Sequence, residues 1–300
     1  MPFYCYNSHI YILTLYSFFV INIIYQTTII KNSGILMKLG LKIEDAVKLN
    51  PELKKYTYYK NGKIRIDFKS KESLYLYNKT VLKYVFNIDM DFHRDALIPA
   101  PISRYLFIKN LCESFKEENK RSIDDVLEIG TGSGILAIMI AKYYRCNVYA
   151  TEVVEEYIEL AKNNVIRNSL EDRIKIIDSK GKVIEGITKI EGKKFDIIVS
   201  YPPFYPPHSV PSKRSFGGAY ARNVELIGGG KYGEDFSLRI LREGIKYLRE
   251  GGIIGLMMPH KPKERRKIIE EEVVNLGLIL ETDKIKIGKR IRHIIKGYLL

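Results

Sequence analysis

The chain has 300 residues, enough for one large domain or for one domain with a small accessory one. Hydrophobic residues make up 46% of it and charged residues 28%, a composition that excludes a disordered protein. The formal net charge of +14 favours a polyanionic partner, either nucleic acid or an anionic membrane, although a well-solvated surface explains it equally well. Three cysteines without CxxC spacing exclude a disulfide framework and a zinc cluster, so we expect no metal and a cytoplasmic location.

Residues 1–36 form an apolar leader. Between Ile10 and Ile30 the chain carries no charged residue, and a segment of this length and polarity suits a transmembrane helix. No basic residue precedes it and no small-residue cleavage site follows it, which argues against a signal peptide. Because Met37 opens an ordinary soluble sequence, we interpret the leader as a start-site artefact. The alternatives are an ordered helix and a membrane anchor, and a membrane is a partner only if residues 10–30 are translated and inserted.

Residues 37–105 predict a small α+β cap. Lysine and arginine alternate with tyrosine and phenylalanine from residue 54 to residue 77, and Asn61-Gly62 between two strand-like segments predicts a β-hairpin. Basic side chains suit phosphates and aromatic faces suit base stacking, so the cap fits single-stranded RNA. Packing of the same tyrosines on the core is the alternative interpretation.

Strands and helices alternate from Asp124 onward, which predicts a parallel sheet with crossover helices within a domain of residues 106–300. The predicted strands are 126–129, 147–151, 174–178, 195–200, 252–257, 278–287 and 293–299, and the predicted helices lie near 135–145, 153–168, 234–249 and 262–276. A short basic turn links the last two strands. We therefore predict an α/β fold whose seven-stranded, mostly parallel sheet ends in an antiparallel hairpin.

A glycine-rich turn follows the first of these strands. Residues 130–134 read Gly-Thr-Gly-Ser-Gly, and a helix is predicted from Ile135. Glycines are needed where a bulky ligand approaches the backbone closely, because Cβ atoms would block it. The spacing is G-x-G-x-G, not the G-x-G-x-x-G of nicotinamide enzymes, and Glu128 lies two residues before the first glycine. This combination resembles motif I of the Rossmann-like class I methyltransferases, and the resemblance implies that Glu128 contacts the methionine ammonium group of S-adenosylmethionine.

Two further acids stand at the ends of the next strands. Glu152 can accept hydrogen bonds from both ribose hydroxyls of a nucleoside cofactor. Asp178 ends the third strand, where the same family places an acid or amide against the adenine. Each acid alone is more often a helix cap or a surface charge, but acids at three consecutive strand ends indicate a cofactor site.

The fourth strand ends in a turn that reads Ser-Tyr-Pro-Pro-Phe at 200–204. It resembles the [Asn/Asp/Ser]-Pro-Pro-[Tyr/Phe/Trp] motif of amino-group methyltransferases. The prolines stiffen the turn, and the aromatic residue can stack on a flat substrate. The resemblance implies that the first side chain and the carbonyl of the first proline accept hydrogen bonds from the target amino group. Catalysis is then mainly alignment, since the sulfonium is already a strong electrophile, and no general base or metal is needed.

Tyr201 stands where this motif has Asn, Asp or Ser. Ser200 is one position early and by strand alternation faces elsewhere, so we group it with the cofactor residues. Either the tyrosine hydroxyl is the acceptor, or the carbonyl of Pro202 acts alone, or the substrate differs. The predicted catalytic residues are Tyr201, Pro202, Pro203 and Phe204. The predicted cofactor-binding residues are Arg104, Glu128, Gly130, Thr131, Gly132, Gly134, Glu152, Asp178 and Ser200.

A long glycine-rich segment follows the turn, with Phe-Gly-Gly at 216–218 and a Glu-Leu, Gly-Gly and Glu-x-Phe series at 225–236. Such a loop is a natural substrate gate. Together with Leu97-Ile98-Pro99 and Arg104, it resembles the RlmF-type family over about residues 91–260. That family includes the bacterial 23S ribosomal RNA adenine-N6 methyltransferase and the eukaryotic adenine-N6 methyltransferase of spliceosomal small nuclear RNA. The resemblance implies that Arg104 organises the active site near the methionine end of the cofactor.

The resemblance also implies methyl transfer to adenine N6 in RNA. We expect ribosomal RNA as the target, because the C-terminal RNA-binding domains of the eukaryotic relatives have no counterpart here. A protein glutamine N5-methyltransferase uses the same turn, and Tyr201 leaves open an RNA-binding protein with a degenerate site. The basic surplus and the Glu-Leu/Gly-Gly loop favour RNA over protein, and the intact glycine turn argues against decay.

Two basic clusters are candidates for phosphate contacts. The first spans residues 260–267 and also fits a solvated helix face. The second is the better candidate and consists of Lys284, Lys286, Lys289, Arg290, Arg292 and Lys296.

Overall fold

The computed structural model describes residues 40–209, 222–287 and 290–300 in full and residues 30–32 and 35–37 by their backbone. Most of the apolar leader therefore lies outside the described residues, as do the Phe-Gly-Gly sequence at 216–218 and Lys289. In the described ranges, no helix combines the length and the apolar character that crossing a membrane needs.

The N-terminal elements form two hairpins and two helices. They are β1 (Ile30–Asn32), β2 (Ile35–Met37), α1 (Ile43–Leu49), β3 (Thr57–Lys60), β4 (Lys63–Ile66) and α2 (Lys71–Phe86). Asn61 and Gly62 join β3 to β4 with φ angles of 52° and 68°. Two positive φ angles are those of a two-residue hairpin turn, so the predicted hairpin is confirmed.

The aromatic residues of the cap divide into buried and exposed ones. The rings of Tyr75 and Tyr77 pack against the hydrophobic core. Tyr58 and Tyr59 on β3 are 48% and 80% exposed. The core that α2 covers also includes α3 (Pro101–Asn119), a helix that runs through the predicted domain boundary at residues 105 and 106. The cap and the rest of the chain therefore share one core.

Seven strands form the central sheet of the described chain. They are β5 (Asp125–Ile129), β6 (Asn147–Glu152), β7 (Ile174–Asp178), β8 (Phe195–Ser200), β9 (Leu248–Pro259), β10 (Ile279–Ile287) and β11 (Arg290–Tyr298). Their order is β10-β11-β9-β8-β5-β6-β7, and β11 runs antiparallel to both of its neighbours. This is the predicted mostly parallel sheet with a final antiparallel strand, and the fold prediction is confirmed.

Helices cover both faces of the sheet. Besides α3 they are α4 (Ile135–Tyr144), α5 (Glu155–Arg167), the single turn α6 (Asn223–Leu226), α7 (Asp235–Gly244) and α8 (Lys263–Asn275). Side chains of a strand alternate between faces, so Val126 joins the core under α3 and α4, and Leu127 joins the core under α7 and α8. The carboxyl ends of β5, β6, β7 and β8 consequently meet at one edge, where open α/β sheets bind ligands.

One predicted boundary is wrong. The helix predicted over 234–249 ends at Gly244, and β9 begins at Leu248, before the predicted residue 252. Leu248 pairs with Phe195, and pairing resumes with Ile253 opposite Ile197 after an irregular segment. That segment contains Gly251, whose φ is 73°, and its glycines hide the start of the strand from a hydrophobic pattern.

Candidate active site

The glycine turn between β5 and α4 borders a cavity of about 420 Å³. Gly130 and Gly132 line it, with φ angles of 72° and 57°, and no atom lies within 4 Å of the position that a Cβ would take at either residue. These left-handed conformations suit glycine, and they leave the backbone open to a ligand. Gly134 does not line the cavity, and a Cβ on it would lie 3.5 Å from the Cβ of Ala161 on α5.

Glu128 lies beneath this turn and is 1% exposed. Its Oε2 accepts hydrogen bonds from the hydroxyl of Thr131 at 2.7 Å and from the amide of Ala137 at 3.0 Å. Burial nevertheless raises the pKa of the Glu128 carboxyl to about 7. Glu128 and Thr131 both line the cavity. A carboxyl of this kind ionises when a cation approaches it, which suits an ammonium group.

Glu152 ends β6 and also lines the cavity. One carboxylate oxygen accepts from the amide of Gly132 at 2.8 Å, and the other accepts from the amides of Val153 at 2.8 Å and Val154 at 3.1 Å. A carboxylate offers about four acceptor positions, so these three bonds leave about one for a ligand hydroxyl. Glu152 therefore fixes the glycine turn, in addition to the ribose contact predicted for it.

Besides Gly134, two more of the predicted cofactor residues do not line the cavity. The Asp178 side chain is exposed and accepts a hydrogen bond from the amide of Lys180 at 2.8 Å, whereas its neighbour Ser179 lines the wall. Ser200 is fully buried, and its hydroxyl donates to the carbonyl of Ile129 at 2.8 Å. Ser200 thus ties β8 to β5 and does not line the cavity.

The four residues of the turn after β8, Tyr201 to Phe204, all line the cavity. The amides of Phe204 and Tyr205 donate to the carbonyl of Leu226 at 3.1 and 2.7 Å, which ties the turn to α6. Pro202 is buried, and no group in the described part of the chain donates to its carbonyl oxygen. Since a buried carbonyl usually has a partner, this oxygen is an acceptor available to a substrate.

The glycine-rich segment 226–236 packs directly on this turn. A Cβ on Gly233 would lie 2.0 Å from the carbonyl oxygen of Phe204, and one on Gly228 would lie 2.5 Å from that of Pro203. Only glycine permits such an approach. The described part of the predicted gate is therefore fastened to the catalytic turn.

Arg265 of α8 holds the same turn from behind. It is 2% exposed, and its guanidinium donates to the carbonyl oxygens of Phe204 at 2.6 Å, Tyr232 at 3.0 Å and Lys261 at 2.5 Å. Burial lowers the pKa of Arg265 to about 10. This role was not predicted from the sequence, where Arg265 belongs to the basic cluster at 260–267. The available signal was its helical spacing with Ile269 and Val273, which form the buried stripe of α8.

Tyr201 is held by two arginines. The guanidinium of Arg104 lies 4.1 Å from the centre of its ring, and Nε of Arg292 donates to its hydroxyl at 3.2 Å. Burial opposes ionisation of the phenol, but Arg104, Arg292 and a hydrogen bond with Ser103 outweigh it, so the pKa of Tyr201 lies below its usual value. The hydroxyl is engaged by residues of β11 and α3, and Arg104 lines the cavity.

The N-terminal part of the chain closes one wall of the cavity. Phe92, His93 and Leu97 contribute to this wall. The amide of Leu97 donates to the carboxylate of Glu225 at 3.1 Å, and the same carboxylate accepts from the amide of Arg222 at 2.8 Å. Glu225, from the Glu-Leu sequence of the loop, therefore joins the cap to the catalytic side of the sheet.

The second basic cluster does not act as one surface. Lys296 is 1% exposed and forms ion pairs with Glu281 at 3.0 Å and Asp283 at 2.9 Å. Lys296 is therefore not exposed to contact a phosphate, contrary to the prediction. Arg292 is engaged with Tyr201, and Lys289 lies outside the described residues. Lys284, Lys286 and Arg290 are exposed. In the ranges that the structure describes, no group of three or more His, Cys, Asp or Glu residues is arranged to hold a metal.

The sheet order, its antiparallel strand and the glycine turn at the end of β5 define a class I S-adenosylmethionine-dependent methyltransferase fold. The catalytic domain of human Mettl16, solved in complex with a hairpin of the MAT2A 3′UTR, is similar with a TM-score of 0.71 and 21% identity, over 86% of this chain and 93% of that one. The N-terminal domain of human METTL16 in complex with SAH has a TM-score of 0.69 and 20% identity, over 86% and 94%.

The sequence profile of a family described as RNA methyltransferase matches residues 41–217, more than half of the chain. A Methanocaldococcus jannaschii protein provisionally named a methyltransferase is 57% identical over 260 residues, which are 86% of this chain and 98% of that protein. The chain therefore belongs to this RNA methyltransferase family, and it is a methyltransferase.

Two relatives differ in the substrates that their names give. The release factor glutamine methyltransferase of Clostridium acetobutylicum is 32% identical over 61% of this chain and 63% of its own length. The U6 small nuclear RNA (adenine-(43)-N(6))-methyltransferase of Drosophila pseudoobscura pseudoobscura is 31% identical over 49% and 50%.

Proposed function

We propose that the chain transfers the methyl group of S-adenosylmethionine to the N6 amino group of adenine in RNA. The observation that carries this proposal is the turn from Tyr201 to Phe204. Its residues line the same cavity as the glycine turn, and the carbonyl of Pro202 has no donor among the described residues. The cofactor supplies an activated methyl group on its sulfonium, and the residues of the chain align the acceptor.

The residues of the cavity suit the cofactor. Glycines 130 and 132 leave open space above the backbone, and Glu128 is a buried carboxyl that an ammonium group would ionise. Glu152 keeps about one acceptor position for a hydroxyl. Asp178 and Ser200 are not part of this proposal, because neither lines the cavity.

The catalytic turn suits an amine that is conjugated with an aromatic ring. The lone pair of such an amine is delocalised, and a hydrogen bond from its N–H to the carbonyl of Pro202 favours the pyramidal, nucleophilic form of the nitrogen. Phe204 offers a flat face on which the base can stack. Arg104 and Arg292 hold Tyr201 at the side of the turn, so we assign the acceptor role to Pro202.

Membership of an RNA methyltransferase family and the net charge of +14 support RNA as the substrate class. Adenine as the base is supported by the turn and by the relative that acts on U6 small nuclear RNA. Ribosomal RNA as the target, and a cytoplasmic location, stay predictions.

Mass spectrometry of nucleosides tests the proposal. RNA from cells that lack the gene is incubated with the purified protein and methyl-labelled S-adenosylmethionine, then digested and compared with RNA from cells that carry the gene. We expect labelled N6-methyladenosine. Label in another nucleoside, or none in RNA, would overturn the adenine assignment.

Methylation of a glutamine side chain in a protein is the second candidate. The Clostridium acetobutylicum relative favours it, since glutamine methyltransferases resemble this chain in using the same turn. The same labelled reaction with the host's release factors separates the two functions, because glutamine methylation puts the label into protein and N5-methylglutamine is recovered on hydrolysis.

A further inference from the structure

A second cavity, of about 280 Å³, lies on the other side of the catalytic turn. Phe204 lines both cavities, so a ligand that fills the second one lies directly beside the reacting base. The residues that line the second cavity include Phe204, Lys231, Tyr232, Lys261, Arg265 and Arg292.

The charge of this second cavity is positive. Among its described lining residues there are four cationic side chains and no acid. Arg265 donates to three backbone carbonyls, but Lys231 and Lys261 are exposed and have no ion-pair partner in the described ranges. The nearby Glu234 is buried, and its carboxylate accepts from the amide of Tyr232 at 2.7 Å. The cavity therefore offers two free ammonium groups to an anion.

The same cavity offers an aromatic face. Tyr232 is half-buried in its wall, and Nζ of Lys231 lies 5.3 Å from the centre of the Tyr232 ring. Cations around an aromatic ring are suited to the phosphate and the base of a single-stranded nucleotide. A free inorganic anion has no base, so it would not stack on the Tyr232 ring.

Arg292 connects the second cavity to the catalytic turn. Its side chain lines the second cavity while its Nε donates to the hydroxyl of Tyr201, which lines the first. Arg292 also donates to the carbonyl of Ile291 at 3.3 Å, which leaves donors of its guanidinium for a phosphate. One residue thus contacts both the target side and the second cavity.

We propose that the second cavity binds the RNA nucleotide next to the one whose base enters the first cavity. Its phosphate contacts Lys231, Lys261 and Arg292, and its base stacks on Tyr232. This inference rests on the proposed function in that it takes the substrate to be RNA. It identifies the flanking nucleotide as part of what the site recognises.

RNA binding at a series of salt concentrations tests this assignment. The probe is a fluorescein-labelled oligouridylate with one central adenosine, and its anisotropy gives Kd with S-adenosylhomocysteine present. The double variant Lys231→Gln/Lys261→Gln should weaken binding by about tenfold at low salt. It should also reduce the slope of log Kd against log salt by up to about 0.7, because the two lysines contact one phosphate and each neutralised single-stranded phosphate contributes about 0.7. Tyr232→Leu should weaken binding at least about fivefold with the slope unchanged.

The matched control is Lys116→Gln/Lys189→Gln. These two exposed lysines precede the amino ends of β5 and β8, at the opposite edge of the sheet. The control should bind the RNA with the affinity of the unchanged protein. All variants should unfold at the melting temperature of the unchanged protein. If the Lys231/Lys261 variant binds like the control, the second cavity is not a nucleotide site, whatever the nucleoside analysis finds. If the affinity of the Lys231/Lys261 variant for RNA falls as expected but the nucleoside analysis finds no N6-methyladenosine, the second cavity is supported as a nucleotide site. The adenine assignment is then wrong.

Discussion

At the scale of single residues, the buried carboxyl of Glu128 suits a cationic ligand but lowers the free energy of unfolding of the protein. Its pKa is about 7 in the folded protein, against an ordinary value of 4.5. Between these two pH values the folded state holds a proton that the unfolded state has released, so stability falls as pH rises through this range. Above pH 7 the destabilisation is complete and amounts to about 3 kcal/mol.

Glu128→Gln should remove this destabilisation, because the amide oxygen can still accept from Thr131 and Ala137. We expect the free energy of unfolding to rise by up to about 3 kcal/mol at pH 8 and to change little at pH 5, measured by urea denaturation. The affinity for S-adenosylmethionine should fall and lose its increase between pH 6 and pH 8, measured by calorimetry. Unchanged cofactor affinity would show that Glu128 does not hold the ammonium group.

Tyr201 decides how secure the adenine assignment is. Its hydroxyl is engaged by Arg292, so Tyr201→Phe should lower kcat less than tenfold while the carbonyl of Pro202 continues to accept. Tyr201→Asn restores the usual residue of the motif and should preserve or raise adenine methylation. Phe204→Ala is the contrast, since losing a stacking face weakens base binding by about 1–3 kcal/mol.

Steady-state transfer to RNA, with cofactor affinity measured separately, checks these three variants. Loss of activity in Tyr201→Phe would move the acceptor role to the phenol. Should Tyr201→Asn abolish turnover without disturbing cofactor binding, the tyrosine reads another substrate. The adenine assignment would then be abandoned, and the methyltransferase assignment would stand.

At the scale of elements, α8 positions the catalytic turn through one side chain. Arg265→Lys leaves an ammonium group that cannot reach all three carbonyls, so buried acceptors lose their donors. We expect a loss of at least about 2 kcal/mol in the free energy of unfolding. Because the turn is displaced while the glycine turn is not, kcat should fall and the KM for S-adenosylmethionine should stay constant.

Lys267→Gln is the matched control on the same helix, since this exposed lysine makes a long surface ion pair with Glu271, at 3.6 Å. It should unfold and react like the unchanged protein. A merely structural role for Arg265 would lower stability and leave kcat intact at temperatures where the variant is folded. That result would contradict a positioning role.

At the scale of the whole molecule, the elements were predictable wherever a short run of residues specifies its own conformation. The apolar strand before Gly130 and the Asn61-Gly62 turn each specify their own conformation, and both predictions are confirmed. Alternation of strands and helices similarly gave the parallel sheet. The start of β9 was missed, because glycines interrupt its apolar pattern.

Contacts between distant segments were not predictable from patterns. Arg265 reaches Phe204 across 61 positions of the chain, and Lys296 meets Asp283 across a hairpin, so neighbouring residues do not show that either is buried. Asp178 ends its strand as expected, but its neighbour Ser179 faces the cavity. A motif therefore located the site to within a residue or two, and the fold decided which side chain enters it.

The interpretation of residues 1–36 as a start-site artefact predicts that the whole molecule folds and works without them. Among the described residues, the two hydrophobic cores include Leu41 and residues that follow it, and the wall of the first cavity includes Phe92 and residues that follow it. A chain shortened to begin at Met37 should keep the melting temperature and the methyl-transfer rate of the full chain. A chain that begins at Ser70 is the contrast, because it also loses buried Leu53 and Ile66, each worth about 1.5–3 kcal/mol. It should unfold well below the others in a thermal scan. If the chain from Met37 melts early as well, or if only the full chain sediments with membranes and is active there, the leader is a working part of the protein and its interpretation as an artefact is wrong.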